Sequence, residues 1–308
     1  MYLSFFGFTK KPFALTPDPE FLYLSPKHKK ALTILQYGLM SQAGFTVVTG
    51  EIGSGKTTLI SHLLNHIEED CTVGLITNTH SSFGDLLTWV LAAFDIKTIV
   101  EDKAQRYQLL VDFLKQQFAK QRRAVLIVDE AQNMDLQTLE ELRLLSNINS
   151  GSEIMLQLVL VGQPELVDKL RSPELIQFAQ RISIEFHLTP LNYEQTEKYI
   201  YHRLKVVGGS LGLFTKTACA AVYYFTGGVP RLINNICDLA MVYAFAEDEE
   251  TIELQTVLDV VKEKQAGGIV PLKAVQNDDA KIIVELIKKQ ESIDLTKYVG
   301  GLPPGRFT

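Results

Sequence analysis

Gly50-Glu51-Ile52-Gly53-Ser54-Gly55-Lys56-Thr57 satisfies G-x-x-x-x-G-K-[ST], and it lies between a β-branched apolar run and an amphipathic one. Glycines at these places let the main chain curl until successive N–H groups point inward, and the start of a following helix adds partial positive charge. Such a cradle takes the phosphates of a nucleotide. Lys56 is placed to neutralise the β- and γ-phosphates, and the Thr57 hydroxyl to take one position on a magnesium ion. Thr58, next on the same turn, joins the binding set.

A second constellation follows in "AVLIVDEAQN", where an apolar strand ends at Asp129. In a parallel sheet that end of the strand shares an edge with the phosphate loop, so Asp129 becomes the protein's carboxylate partner for Mg2+. Glu130 is a second acid, not committed to metal, and can orient and deprotonate a water. Kinases acting on small molecules do not need it, and the N-K-x-D motif that reads guanine is absent. The expected chemistry is therefore attack of water on the terminal phosphate. "LQLVLVGQPEL" ends a further strand at Gly162-Gln163. The Gln163 amide either senses the γ-phosphate and the attacking water or merely opens the next turn. Arg181, in "QFAQRISIEF", stands at the sheet's margin, where it can reach a neighbouring subunit's phosphates or remain a surface arginine. In "TGGVPRLINNICDLA", Gly227-Gly228 breaks the chain, Pro230 suits a first helical turn, and Arg231 can reach back to the phosphates of its own chain. Arg231, Asn235 and Asp238 are expected on the polar face of that helix, with Leu232, Ile236, Leu239 and Tyr243 on the buried one.

The elements that must position these groups read as α/β. Strands are expected at 45–49, 72–78, 124–128, 156–161 and 182–187, and helices at 56–68, 82–94, 103–120 and 135–148. The last carries the stripe Leu136, Leu139, Leu142 and Leu145. Alternating strands and helices predict a parallel five-stranded sheet with helices on both faces. After Pro190 only helical periodicity remains, near 193–206, 215–226, 230–246 and 252–264, which predicts a small all-helical lid. Asn192, with Gln195 three residues on, is its N-cap. The expected division is an N-terminal strap and helix over 1–44, a nucleotide-binding core over 45–190, a lid over 191–265, and a linker with tail over 266–308, where 280–290 can form one charged helix.

Composition is that of an ordinary folded chain: of 308 residues 46% are apolar and 21% charged, which excludes disorder. No run reaches the length of a membrane span and no secretory signal opens the chain, so a cytoplasmic location is expected, with docking at the inner membrane through partners. Cys71, Cys219 and Cys237 are scattered, without C-x-x-C, and read as free thiols. A formal charge of −6 gives no general preference for nucleic acid.

The phosphate loop, Asp-Glu strand, polar strand tip, marginal arginine and lid arginine, in that order, resemble the AAA+ ATPases. "YLSFFGFTKKPFALTPDPEFLYLSPKHKKALTILQYGL", leading into "GFTVVTGEIGSGKTT", is similar to the ExeA/GspA family, the ATPases associated with type II secretion. "VLIVDEAQN", "LEELRLLSN", "LVGQPEL", "QRI" and "TGGVPRLIN" agree, so the likeness covers residues 1–265. The resemblance implies an ATP- and Mg2+-dependent P-loop NTPase that assembles as a homo-oligomeric ring, a hexamer, with one subunit's Arg181 completing the next subunit's site. It assigns Gly50 to Thr57 to the nucleotide, Asp129 and Glu130 to metal and water, and Gln163 and Arg231 to sensing. Phe13, Pro17 and Pro19 either pack near the adenine or strap the core. Full-length secretion members continue through a membrane span into a peptidoglycan-binding module. Here about 40 residues follow the lid. The expected client is therefore a cell-envelope system, type II secretion, pilus or exopolysaccharide and exosortase, with the chain looking more like the shorter relatives of the last two. Two other readings stay open: a DNA-bound regulator resembling the AAA+ ATPases of transposition target choice, with Lys10, Lys11, Lys27, Lys29, Lys30, Arg122 and Arg123 on phosphates, and a switch that binds ATP but barely cleaves it.

Overall fold

A computed structural model describes residues 2–16, 18–67, 70–77, 85–97, 99–150, 153–267, 272 and 274–298. The chain forms two compact units. One comprises Pro26–Ile52 and Lys56–Thr189, and the other Met1–Ser25, Gly53–Gly55 and Pro190–Thr308. Along the chain, α1 (Tyr2–Phe5) and α2 (Pro26–Met40) precede β1 (Phe45–Gly50), α3 (Lys56–Leu64), β2 (Cys71–Ile76), α4 (Leu86–Ala93), α5 (Lys103–Ala119) and β3 (Arg123–Val128). Next come α6 (Leu136–Leu145), the short β4 (Asn149–Ser150) and β5 (Glu153–Ile154), β6 (Leu156–Gly162), α7 (Pro164–Leu170), α8 (Ile176–Ala179) and β7 (Ile182–Leu188). The helices α9 (Tyr193–Val206), α10 (Lys216–Thr226), α11 (Pro230–Ala246), α12 (Leu254–Gly267) and α13 (Asp278–Glu291) follow.

In the α/β unit the five long strands form one parallel sheet in the order β2-β3-β6-β1-β7. Strand periodicity divides its side chains cleanly. Val47, Leu126, Val128, Leu158 and Leu160 face one way, into a core shared with Leu87 and Val90 of α4, Leu110 of α5, Leu142 of α6 and Leu166 of α7. Val48, Val125, Ile127, Val159 and Val161 face the other way, against Leu35 of α2 and Leu59 and Leu63 of α3. Both faces are therefore covered, and burying each such side chain contributes about 1.5–3 kcal/mol. Registry aligns the strand ends: Thr49 lies opposite Gly162, and Val128 opposite Leu160.

Several boundaries differ from the expectations. β2 stops at Ile76, α3 at Leu64, and α4 begins at Leu86, after Asp85; residues 68, 78 and 82–84 of the expected elements lie outside the described ones. The antiparallel pair β4–β5 was not foreseen, because two residues per strand carry no periodicity. Leu136 is 37% exposed while Leu139, Leu142 and Leu145 are buried. It sits in the first turn after the Asp135 cap, which accepts from the Thr138 N–H at 2.7 Å.

The helical unit starts at the expected capping box: the Gln195 N–H donates to Asn192 at 2.9 Å and the Asn192 N–H to Gln195 at 3.3 Å. α10 runs through its centre with nearly every residue buried. The buried face of α11 is Ile233, Ile236, Cys237, Ala240, Met241 and Ala244; of the expected Leu232, Ile236, Leu239 and Tyr243, only Ile236 is buried and the other three are partly buried. Leu232, Leu239 and Tyr243 each stand one position before a buried Ile233, Ala240 or Ala244, so the apolar sector of α11 is wider than its buried stripe. The N-terminal segment covers part of the remainder, where the Tyr2 hydroxyl donates to Asp238 at 2.6 Å and Lys11 pairs with Asp238 at 2.8 Å. Burial pushes the Tyr2 phenol up, and the neighbouring Asp238 carboxylate adds to it. α13 runs longer than the charged helix expected at 280–290 and buries Ala280, Ile283 and Ile287 in the same core. The expected linker at 266–271 begins inside α12, which reaches Gly267; residues 268–271 and 299–308 lie outside the described ones. Cys71, Cys219 and Cys237 are free thiols, and burial pushes that of Cys219 up to about 12.

Gly227 and Gly228 break the chain with φ of +62° and +72°. A Cβ on Gly228 would stand 1.8 Å from the Leu191 carbonyl oxygen, while the Leu191 N–H donates to the Gly228 carbonyl at 3.0 Å. Gly228→Ala is expected to lower stability by about 1–3 kcal/mol or more, read as an earlier thermal or urea midpoint by circular dichroism. A wild-type midpoint would contradict this account of the turn.

Candidate functional site

The carboxyl edge of the sheet gathers most of the residues singled out above. Gly53 and Gly55 have φ of +78° and +98°, the left-handed turns that let the loop after β1 curl. Lys56 opens α3 and is buried, its ammonium donating to the carbonyls of Gly50 at 2.7 Å and Glu51 at 3.0 Å. Burial holds its pKa below the usual lysine range, against the opposing pull of the Glu130, Asp129, Glu51 and Glu165 carboxylates. Glu51 and Ile52 are exposed, Ser54 is buried, and Thr58 is half-buried on the first turn of α3.

Asp129 leaves the end of β3, its N–H bound to the Ile76 carbonyl at 2.8 Å. The Thr57 hydroxyl donates to its Oδ2 at 2.9 Å, and the Glu130 N–H to its Oδ1 at 2.9 Å. Burial raises the Asp129 pKa, and those two hydrogen bonds act in the opposite direction. A buried ammonium and a buried carboxylate, each disfavoured in its charged form, are suited to a polyanion and a cation respectively. Asp129 and Thr57 supply two hard oxygens, which fits Mg2+, an ion that keeps several waters and takes further ligands from phosphates.

Glu130 has a left-handed backbone, φ +54°, unusual for a residue with a Cβ. Its Oε2 accepts from the Gln132 amide at 2.6 Å and from the Gln163 amide at 3.1 Å. Gln163 caps α7 at the tip of β6. The sequence marks Gln132 only as a polar residue two positions after Glu130. Arg181 lies apart. It is exposed and donates to the Ser146 hydroxyl at 3.0 Å and to the Asn147 side chain, just past α6. Arg231 is exposed on the first turn of α11, and inside the helical unit its N–H donates to the Gly53 carbonyl at 3.3 Å.

The N-terminal segment belongs to the helical unit. Phe13 is buried edge-on to Phe214, with ring centroids 5.9 Å apart, and Pro19 opens a short 3-10 turn. Pro17 lies outside the described residues.

Residues 39–170 match the family described as AAA domain. General secretion pathway protein A of Aeromonas hydrophila is 40% identical over 256 residues, 82% of this chain and 46% of that protein. The chain thus spans about half the length of the curated relative it matches. Among solved structures, the ORC2 protein of Aeropyrum pernix matches with a TM-score of 0.60 at 15% identity, over 94% of this chain and 88% of that one. Cdc6p of Pyrobaculum aerophilum matches with a TM-score of 0.62 at 17% identity, over 80% of this chain and 71% of that one. At such identities these two likenesses speak for the fold alone. Together with the five-stranded parallel sheet, these matches establish that the chain belongs to the AAA+ P-loop NTPases, in their ExeA/GspA-like group.

Proposed function

We propose that the chain hydrolyses ATP with Mg2+ as a homo-oligomeric ATPase, and that the resulting rearrangement drives or gates assembly of a cell-envelope system. The observation that carries the reaction is the pairing, on one strand end, of Asp129 bound by Thr57 with Glu130 bound by two amides. When phosphates arrive, Lys56 exchanges its loop carbonyls for phosphate oxygens. Mg2+ held by this site would supply electrostatic stabilisation of the charge that develops on the phosphates. Thr57 would ligate it, and Asp129 would hold it directly or through Thr57 and water. Glu130 takes a proton from water, the water oxygen bonds to the γ-phosphorus, and the bond to the β–γ bridging oxygen breaks to leave ADP and phosphate. Gln163 orients that water, and Arg231 and Arg181 read the γ-phosphate from the chain's own lid and from a neighbouring subunit. The ring, the hexamer count and the envelope client rest on the family relationship. Among the described residues no helix is long and apolar enough to cross a membrane.

The DNA-bound reading draws less support. Lys10 pairs with Asp18 and Glu20, Lys11 with Asp238, and Arg123 with Asp70, so these cations are already engaged within the chain. Lys29, Lys30 and Arg122 are exposed.

Glu130→Gln is expected to lower turnover by about 10²–10⁴-fold while ATP still binds, measured by phosphate release beside nucleotide affinity. Unchanged turnover would overturn the assigned base. Arg181→Ala should keep ATP affinity and lose about 10³-fold or more in rate, and wild-type rate per subunit should rise with protein concentration. A concentration-independent rate unaffected by the substitution would remove the trans role. Asp129→Asn should abolish Mg2+-dependent turnover yet stabilise the nucleotide-free protein. The folded-state pKa of Asp129 is raised, so the folded chain binds more protons than the unfolded one, and stability falls as pH rises above the ordinary carboxylate range. The melting-temperature advantage of Asp129→Asn should therefore grow from acid to neutral pH; a variant less stable throughout would refute it.

A further inference from the structure

The two amides on Glu130 are themselves interlocked, and Gln132 is the link. Its side chain is buried, and each end of its amide is committed: Nε2 donates to Glu130 Oε2 at 2.6 Å, and Oε1 accepts from the Gln163 backbone N–H at 3.0 Å. The second bond fixes which way the amide faces, because a backbone N–H can only meet its oxygen. Gln163 then completes the ring, its own side-chain amide donating to the same Glu130 oxygen at 3.1 Å. The turn that carries Gln132 is anchored from α7, where Lys169 donates to the Gln132 and Met134 carbonyls at 2.5 and 2.7 Å. On the β6 side Gly162 leaves the room this requires, since a Cβ there would stand 3.0 Å from Gln132 Oε1 and 2.8 Å from Leu166.

We infer that Gln132 is a positioning residue that holds the Glu130 carboxylate in one orientation and ties it to the tip of β6, so that acid and strand-tip amide hold or shift together. The inference rests on the hydrolytic reading of Glu130. A carboxylate on a left-handed residue at a strand end has several rotamers, and only one can face a water in line with the γ-phosphate. Two donors on Oε2 select one rotamer before substrate arrives, the preorganisation that catalysis by position requires. Loss of Gln132 would leave the phosphate cradle untouched and would free the acid to turn. Its contribution is thus expected in kcat rather than in nucleotide affinity.

Two variants separate the two ends of the amide. Gln132→Met removes both bonds at nearly constant size; Gln132→Glu keeps an acceptor for the Gln163 N–H and removes the donor to Glu130. In the nucleotide-free protein, amide exchange at Gln163 should quicken by about tenfold in Gln132→Met, the loss of one hydrogen bond, and stay slow in Gln132→Glu. Both variants should lose about 10–100-fold in kcat, with ADP affinity within about twofold of wild type and little added loss in a Glu130→Gln background. If Gln132→Met fails to fold, Gln132→Glu carries the kinetic arm alone. Wild-type kcat in either variant, unchanged Gln163 exchange in a folded Gln132→Met, or a kcat loss matched by equal loss of ADP affinity would overturn the inference. Absence of turnover in the wild-type chain would instead sink the hydrolytic reading, and the exchange measurement would still report on the clamp.

Discussion

An ammonium and a carboxylate withdrawn from water at one edge of a parallel sheet set the terms for the rest of the α/β unit. Lys56 and Asp129 are both buried, and burial disfavours the charge of each. Such groups persist only where fixed dipoles replace the lost water. Lys56 finds two loop carbonyls, and Asp129 a hydroxyl and a main-chain N–H. These partners are adequate but neutral, and a phosphate or a divalent cation satisfies either group better. The sheet makes the juxtaposition possible: with Thr49 opposite Gly162 and Val128 opposite Leu160, the residues that follow three strands leave on the same side. The two apolar cores hold that registry, because a slip by one residue would turn every strand side chain to the wrong face.

The helical unit solves a comparable problem with the N-terminal segment. Arg203 is a buried guanidinium whose pKa burial lowers, and it is satisfied by the carbonyls of Pro12 and Ala14 and by the face of Phe21 at 4.3 Å. Asn234 donates to the same Ala14 carbonyl at 3.4 Å and accepts from the Tyr199 hydroxyl at 2.8 Å. The strap is thus fixed through its main-chain oxygens, with the Phe21 and Tyr199 rings against the Arg203 guanidinium.

Local structure that depends on residues close in sequence was legible. The phosphate loop, the acid pair, the N-cap at Asn192 and the break at Gly227-Gly228 each declare themselves within a few residues, and the short, continuously apolar runs of β1, β3 and β6 between helical segments declared the sheet. What was not legible depends on distant partners. The centre of the inward face of α11 is chosen by what packs on it, because Leu232, Leu239 and Tyr243 widen the apolar sector beyond the buried stripe. The surface tether of Arg181 to Ser146 and Asn147 crosses from β7's approach to the end of α6. Gln132 looked like any polar residue in a turn, because its role arises only when β3 and β6 are neighbours in register.

That last case shows why two motifs behave as one. The turn after β6 donates two hydrogen bonds to the turn after β3: the Gln163 N–H donates to Gln132 and the Gln163 side-chain amide to Glu130, while Gln132 donates to Glu130 within its own turn. Each side constrains the other's composition. A Cβ at Gly162 would crowd Gln132 Oε1 at 3.0 Å and a Leu166 methyl at 2.8 Å, and Glu130 is turned into a left-handed conformation that costs about 1–3 kcal/mol. Strain of that size is retained only if the surrounding bonds over-determine it, and here two side-chain amides, a lysine staple from α7 and a buried strand end do so. The orientation of the acid is therefore a property of two strands and the helix after the second, not of the strand on which it is written.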